Sequence, residues 1–308
     1  MTNGRVRRGT AVRPFLKWAG GKRQLLAQLR RFIPENFGAY HEPFLGSGAL
    51  FFDLRARGVL QDRAAHLTDT NVDLIGCYAA VRDEVEAVIA ALQTLERAHR
   101  LDQDAHYYRV RDELFNPARE AQSSSLRYSP ELAAMFIYLN RTGFNGLFRL
   151  NSRGAFNVPV GRYDKPTICD AANLRAVAAA LSASHIGIQQ APYESVLERA
   201  RTGDLVYFDP PYAPVSATAR FTSYTADGFS DQDQMRLQQI AHELIERGCR
   251  VVISNSTATL VQDLYRNAPG VRAYKVAAKR AINSDSRGRG VVMEYIISNV
   301  KPAQGPSA

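Results

Sequence analysis

The stretch Tyr40-His41-Glu42-Pro43-Phe44-Leu45-Gly46-Ser47-Gly48 leads straight into Ala49-Leu50-Phe51-Phe52. A short strand-like run thus passes into a helix-like one through a turn that holds two glycines. At that junction a glycine turn lets backbone approach a bound nucleotide. It is not the full G-x-G-x-x-G fingerprint, because Phe51 stands in place of the third glycine. Its weight comes from Asp69, which ends the next strand about twenty residues on, where a carboxylate can accept hydrogen bonds from ribose hydroxyls. The other use for Asp69 is as the N-cap of a helix beginning near Asn71. Together the turn and the carboxylate suggest an adenosine-containing cofactor.

Working outward, strand-like runs at Tyr40 to Pro43, His66 to Asp69, His185 to Gln190, Leu205 to Asp209 and Arg250 to Ser254 each end in a turn, most with a helix-like stretch behind. That alternation signals a wound, mostly parallel sheet. Val271 to Ala277 and Val292 to Ser298 have no clear helix between them, which fits a hairpin at the far edge and a mixed sheet. Amphipathic spacing predicts helices at Gly48 to Arg57, Asn71 to Arg82, Leu174 to Leu181 and Asp231 to Arg247. The rhythm stops between Val81 and Asp164, where helical and then Gly/Asn/Arg-rich sequence reads as an inserted domain, with a small polar loop at Ala121 to Ser125. The expected division is 1–80 and 165–300 for the catalytic domain, 81–164 for the insert and 301–308 for a tail. Both chain ends read as disordered tails.

Composition narrows the function class. Of 308 residues, 45% are hydrophobic, the proportion of a globular protein. No run approaches the roughly 18 apolar residues of a membrane span, and no apolar segment follows Arg5, Arg7 and Arg8, so a soluble, cytoplasmic protein is expected. Cys77, Cys169 and Cys249 are far apart and form no C-x-x-C pair, which argues against a disulfide framework or a zinc site. Lys and Arg exceed Asp and Glu by 39 to 30, a net +9. That sign favours a polyanionic partner.

Asp209-Pro210-Pro211-Tyr212 follows the strongly apolar Leu205-Val206-Tyr207-Phe208. The amino group of adenine is a poor nucleophile because its lone pair is delocalised into the ring, so a catalyst needs acceptors for the two N–H hydrogens. An Asp carboxylate and a backbone carbonyl held by prolines supply them, while a neighbouring aromatic ring can stack on the base. Near the N-terminus, Phe15-Leu16-Lys17-Trp18-Ala19-Gly20-Gly21-Lys22 sets the single tryptophan and two lysines around a glycine pair. The tryptophan could stack on an adenine ring, and a lysine could meet a carboxylate or phosphate. In the insert, Asn140-Arg141-Thr142-Gly143-Phe144-Asn145-Gly146-Leu147-Phe148-Arg149 continues through Arg153 to Phe156-Asn157-Val158-Pro159-Val160-Gly161-Arg162-Tyr163. Arginines interleaved with Asn and aromatic residues on a glycine-rich loop suit phosphate contact, base-edge readout and insertion between base steps.

Taken together, these strings closely resemble the Dam family of DNA adenine-N6 methyltransferases, class D12 of the alpha group. The resemblance runs from Phe15 to about Ser298, with the blocks FLKWAGGK, EPFLGSG, NRTGFNGLFRLNSRGAFNVPVGRY and DPPYAPVSATARFTSY in family order. It implies a Rossmann-like, seven-stranded methyltransferase sheet of α/β class with an inserted, mainly helical target-recognition domain. It also implies S-adenosylmethionine as cofactor, with S-adenosylhomocysteine as product, and double-stranded DNA as partner, most simply at GATC. No metal and no obligate protein partner are implied. Trp18, Ala19, Gly20, Lys22, Glu42, Pro43, Phe44, Gly46 and Gly48 would line the cofactor site, Asp69 would hold the ribose, and Tyr193 would touch the cofactor. Asp209, which also borders the cofactor, would bind a flipped-out adenine with the Pro210 carbonyl, Pro211 would stiffen the loop, and Tyr212 would stack on the base. Phe144 and Asn145 would fill the vacated stack, while Lys17, Leu147, Arg149, Pro159 and Tyr163 would read bases. Phe144 stands where some relatives have Tyr, and Pro192 precedes Tyr193 where some have Ser.

Two other readings fit parts of the sequence. A methyltransferase acting on RNA or a protein amide could use an Asp-Pro-Pro-Tyr loop, which leaves the NRTGFNGLFR block without a purpose. A DNA-binding protein without catalytic activity could keep that block but would not need Lys22, Asp69 and Asp209 together.

Overall fold

A computed structural model describes residues 11–18, 20–122, 128–214, 229–279 and 291–303. Two compact units emerge: one formed by 22–45, 62–70 and 185–308, the other by 1–21, 46–61 and 71–184. The tails expected at the chain ends fall largely outside the described residues, as do 123–125 of the expected polar loop; Ala121 ends a short helix.

The first unit carries the sheet. Its strands are β1 (Tyr40–Glu42), β2 (Ala65–Asp69), β3 (Ile186–Gln190), β4 (Leu205–Phe208), β5 (Arg250–Ser256), β6 (Arg272–Lys279) and β7 (Val291–Ser298). They lie in the order β3-β2-β1-β4-β5-β7-β6. The first five are parallel, with β1 beside β4 through Tyr40↔Leu205 and His41↔Val206. The seven strands expected from the sequence are therefore present, and the sheet is mixed. The two final strands do pair antiparallel, from Arg272↔Ser298 to Lys279↔Val291. What the sequence did not disclose is that β7 lies inside, against β5, and leaves β6 at the edge.

Central β4 is buried at every residue, as a parallel strand covered on both faces must be. The helix Asp231–Glu246 opens with a capping box between Ser230 and Asp233. Its three- and four-residue spacing lays Leu237, Ile240, Ala241 and Leu244 into one core with Val206, Phe208, Val251 and Ile253. Strand order reverses between β1 and β4, and such a switch point opens a crevice at the carboxyl ends of the strands. Glu42 ends β1 and Asp209 follows β4, so both acidic residues lie at the carboxyl ends of neighbouring strands.

The second unit is helical. The helices Val72–Asp83 and Val85–His99 both pack on Pro130–Thr142, and a π-helical turn at Val110–Phe115 continues the helix Gln103–Arg109. Pro130–Thr142 starts with a Ser129 cap and Pro at its first position. Tyr78, Leu92, Tyr107, Phe115 and Tyr138 fill the core. The helices Ala49–Ala56 and Ala171–Leu181 belong to this unit too. No helix among the described residues is long and apolar enough to cross a membrane.

Candidate active site and nucleic-acid interface

In the sheet-bearing unit, the turn after β4 is fixed from three sides. Lys22, buried at the start of a short 3-10 turn, places its ammonium 2.7 Å from Asp209 Oδ1. The Ser254 hydroxyl, on neighbouring β5, donates to the same oxygen at 2.8 Å and lies 3.0 Å from the Tyr207 hydroxyl. Burial pushes the Asp209 carboxyl up from its ordinary range, Lys22 and Ser254 pull it down, and Glu294 pushes it up again. Gln234 Nε2 donates to the Pro211 carbonyl at 3.0 Å, and Asn255 Nδ2 donates to Gln234 Oε1 at 2.9 Å. Ser256 completes the clamp by donating to the Ala213 carbonyl at 2.6 Å. The Tyr212 hydroxyl donates to Glu294 Oε2 at 2.7 Å, and Lys22 Nζ sits 4.3 Å from the Tyr212 ring centroid.

Beside this turn in sheet order, Glu42 is buried and accepts from the Tyr40 hydroxyl at 2.8 Å. Phe44 stacks on Tyr193 with centroids 5.2 Å apart, and Phe208 and Phe229 approach it edge-on. Asp69 ends β2, half-buried, while Asn71 caps the next helix by accepting from the Leu74 amide at 2.9 Å. The capping role is thus filled by Asn71. An aromatic wall for a base and carboxylates that accept from ribose hydroxyls, both at the ends of the parallel strands, suit an adenosine-type group.

In the helical unit, Trp18 stacks on Phe148 at 5.9 Å and leans toward Phe136 at 6.5 Å. Gly46 has φ +47°, and a Cβ there would come within 3.0 Å of Trp18 Cδ1, so glycine is required on both counts. Gly48 takes a left-handed conformation as the residue before the helix Ala49–Ala56. Gly20 is exposed; Ala19 lies outside the described residues.

Asn140 ties the nucleic-acid candidates together. Its buried side chain accepts from the Lys17 amide at 2.8 Å and donates to the carbonyls of Lys17 and Gly146, at 2.6 and 3.0 Å. The turn Phe144–Gly146 is pinned further by Phe144 N to Pro159 O at 2.9 Å, and Gly161 N to Thr142 O at 2.8 Å. Within it Asn145 adopts φ 53°, the left-handed region that a non-glycine residue enters at a cost. Phe144 is 44% exposed. Phe148 and Phe156 pack inward on each other, so of the three phenylalanines in this block Phe144 is the one turned to solvent. Lys17 lies 3.9 Å over the Tyr163 ring, and burial, then Arg141, lowers its pKa. Arg149 is exposed, and its Nε and Nη2 donate to Asn157 at 2.7 and 3.3 Å. Asn116 holds both the amide and the carbonyl of Phe156, and Arg119 donates to Gly154 O; together they anchor the hairpin that carries Arg149. Leu147 is half-buried and Pro159 exposed.

Sequence reasoning missed Ser254, Gln234, Asn255, Glu294, Asn116 and Arg119. Glu294 had a signal, an acid inside the apolar run Val291-Val292-Met293-Glu294-Tyr295-Ile296-Ile297. Over residues 18–282 the sequence matches the family described as D12 class N6 adenine-specific DNA methyltransferase. It is 38% identical over 288 residues to the Type II methyltransferase M1.LlaDCHI of Lactococcus lactis subsp. cremoris, covering 94% of this chain and 95% of the relative. It is 39% identical over 300 residues to the Type II methyltransferase M.MjaIII of Methanocaldococcus jannaschii, covering 94% and 99%. The DNA adenine methylase of Escherichia coli (strain K12) is 36% identical over 284 residues, covering 92% and 94%. With a clamped Asp-Pro-Pro-Tyr turn at the sheet's switch point and matches across nearly the whole chain, this protein belongs to the D12 class of N6 adenine-specific DNA methyltransferases.

Proposed function

We propose that this adenine-specific DNA methyltransferase takes its methyl group from S-adenosylmethionine and delivers it to an adenine flipped out of duplex DNA, at GATC. The observation that carries the reading is Asp209, held by Lys22 and Ser254 at the end of β4 beside the stacked Phe44 and Tyr193. When bound, the cofactor supplies an electrophilic methyl on a positively charged sulfur. Phe44 and Tyr193 offer the apolar wall, Asp69 accepts from the ribose, and Trp18, Gly20, Lys22, Glu42, Pro43, Gly46 and Gly48 contribute as their family-matching positions suggest. Asp209 accepts one N6 hydrogen and the Pro210 carbonyl the other; Gln234 already takes the Pro211 carbonyl. Tyr212 stacks on the base. With both hydrogens held, the N6 lone pair is turned toward the methyl carbon, and the surplus proton leaves afterwards to solvent. Positioning supplies most of the rate. The segment 81–164 acts as the recognition module.

The flipped base leaves a gap, and exposed Phe144 beside the strained Asn145 is the wedge proposed to fill it. Phe144→Ala is expected to lower the fluorescence rise of 2-aminopurine at the target position, since unstacking costs a few kcal/mol that the wedge helps to offset. An unchanged rise would remove Phe144 from this role.

Arg149 is proposed to read the guanine paired with the final cytosine, because an arginine fork matches guanine O6 and N7. Lys17 reads the first guanine, with Tyr163 beneath its ammonium, while Leu147 and Pro159 meet the thymine methyls. Methylation rates on GATC and its single-pair variants test the assignment. Arg149→Ala should lose about 1–3 kcal/mol on GATC and much less on sites altered at that pair. An equal loss on every sequence, with the salt slope reduced by about one, would mark Arg149 as a phosphate contact instead.

A further inference from the structure

We propose that Glu294 is a positioning residue of the active site, whose carboxylate on β7 anchors the Tyr212 hydroxyl and so fixes the ring on which the target base stacks. The inference rests on the role given above to Tyr212. Removing a carboxylate from water is costly unless it is paired, and Glu294 is 9% exposed in a strand whose neighbours Ile296 and Ile297 are fully buried. The sheet alone gives no reason to keep an acid there. Its partner is the Tyr212 hydroxyl at 2.7 Å, a short bond of the charge-assisted kind. Strand pairing aims it: Glu294 is in register with Ser256 on β5, two residues beyond the Ser254 that holds Asp209.

Lys22 supports the ring in a second way. Its ammonium caps the Tyr212 ring at 4.3 Å while holding Asp209 at 2.7 Å, so the ring and the carboxylate share one cation. The cation holds one face of the ring but sets no position for its hydroxyl end, which moves when the side chain swings about χ1. The bond to Glu294 supplies the missing constraint. A phenylalanine would stack on a base as well as a tyrosine does; the hydroxyl is needed for the anchor.

The experiment compares Glu294→Ala, Glu294→Gln, Tyr212→Phe and the Ala/Phe double variant of the full chain on duplex DNA carrying 2-aminopurine at the target position. Glu294→Ala and Tyr212→Phe should each lower kcat about tenfold, the worth of one such bond. KM for DNA and the affinity for S-adenosylhomocysteine should change less than about twofold, and the double variant should be no slower than either single one. Glu294→Gln, whose amide oxygen still accepts, should recover most of the rate. A loosely held ring quenches the extruded base less, so fluorescence should rise above wild type in Tyr212→Phe and in Glu294→Ala. Should Glu294→Ala not fold, Tyr212→Phe and Glu294→Gln still decide. Tyr212→Phe at the wild-type rate, losses that multiply in the double variant, or an unchanged signal would overturn the proposal. Full activity of Asp209→Ala would instead overturn the active-site reading on which it rests.

Discussion

Asp209→Ala is expected to remove methyl transfer while leaving DNA and cofactor binding close to wild type. The carboxylate is an acceptor used mainly with the reacting amine. Losing one charged acceptor costs about 2–4 kcal/mol in the transition state, roughly 30- to 1,000-fold in kcat. Single-turnover methyl transfer, read beside the affinities for DNA and S-adenosylhomocysteine, makes the distinction. Activity within a few-fold of wild type would refute the assignment. The pH profile adds an independent check. The acceptor role belongs to the ionised form, and burial raises the Asp209 carboxyl from its ordinary value. The rate should therefore fall on acidification at a higher pH than an exposed aspartate would give. Lys22→Met removes the largest influence that holds the pKa down, so in that variant the acid limb should move to higher pH still.

The second large effect concerns stability. Asp73, on the helix Val72–Asp83, accepts from Arg119 Nε at 2.6 Å and Nη2 at 2.9 Å, and from the buried Tyr128 hydroxyl. Arg119 in turn reaches the Gly154 carbonyl in the Arg149 hairpin. Asp73 is 3% exposed, so truncating it strands a mostly buried guanidinium and a buried hydroxyl together. Asp73→Ala should lose about 3–5 kcal/mol of unfolding free energy, the usual result of breaking a buried pair from one side. The double variant Asp73→Leu/Arg119→Met, which removes both charges, should lose less than Asp73→Ala. Urea titration monitored by circular dichroism measures both. A loss below about 1 kcal/mol for Asp73→Ala would show that the pair carries little.

Much of the sheet was legible in the sequence because its strands announce themselves. Leu205-Val206-Tyr207-Phe208 is buried throughout and reads as an unbroken apolar run, and Asp209 follows it at once. The insert was harder to read for a physical reason. In Pro130–Thr142 the buried residues include Leu132, Ala133, Ala134, Phe136, Ile137, Tyr138 and Leu139, a helix covered on nearly every side. What covers it comes from the helices Val72–Asp83 and Val85–His99, a packing that local pattern does not encode. The place of β7 beside β5 depends on pairing between residues some forty positions apart, as in Val252↔Ser298, which local pattern does not encode.

The site divides in the same way. Asp209, Tyr212, Lys22 and Glu42 lie in contiguous strings and could be named from them. Their supports, Ser254, Gln234, Asn255 and Glu294, come from strands and helices far along the chain and are polar residues of common type. Only the fold reveals what they touch. Asn140 stands between these cases, since it opens the quoted NRTGFNG string but does its work through Lys17, 123 positions away.

Incubating the purified protein with S-adenosylmethionine and unmethylated genomic DNA, then mapping modified bases by single-molecule sequencing, reads base, position and activity at once. N6-methyladenine is expected at the adenine of GATC on both strands, accumulating at least about 30-fold more slowly when Asp209→Ala replaces the wild type. Methylation of cytosine, or of adenines outside GATC, or undiminished methylation by Asp209→Ala, would contradict that expectation.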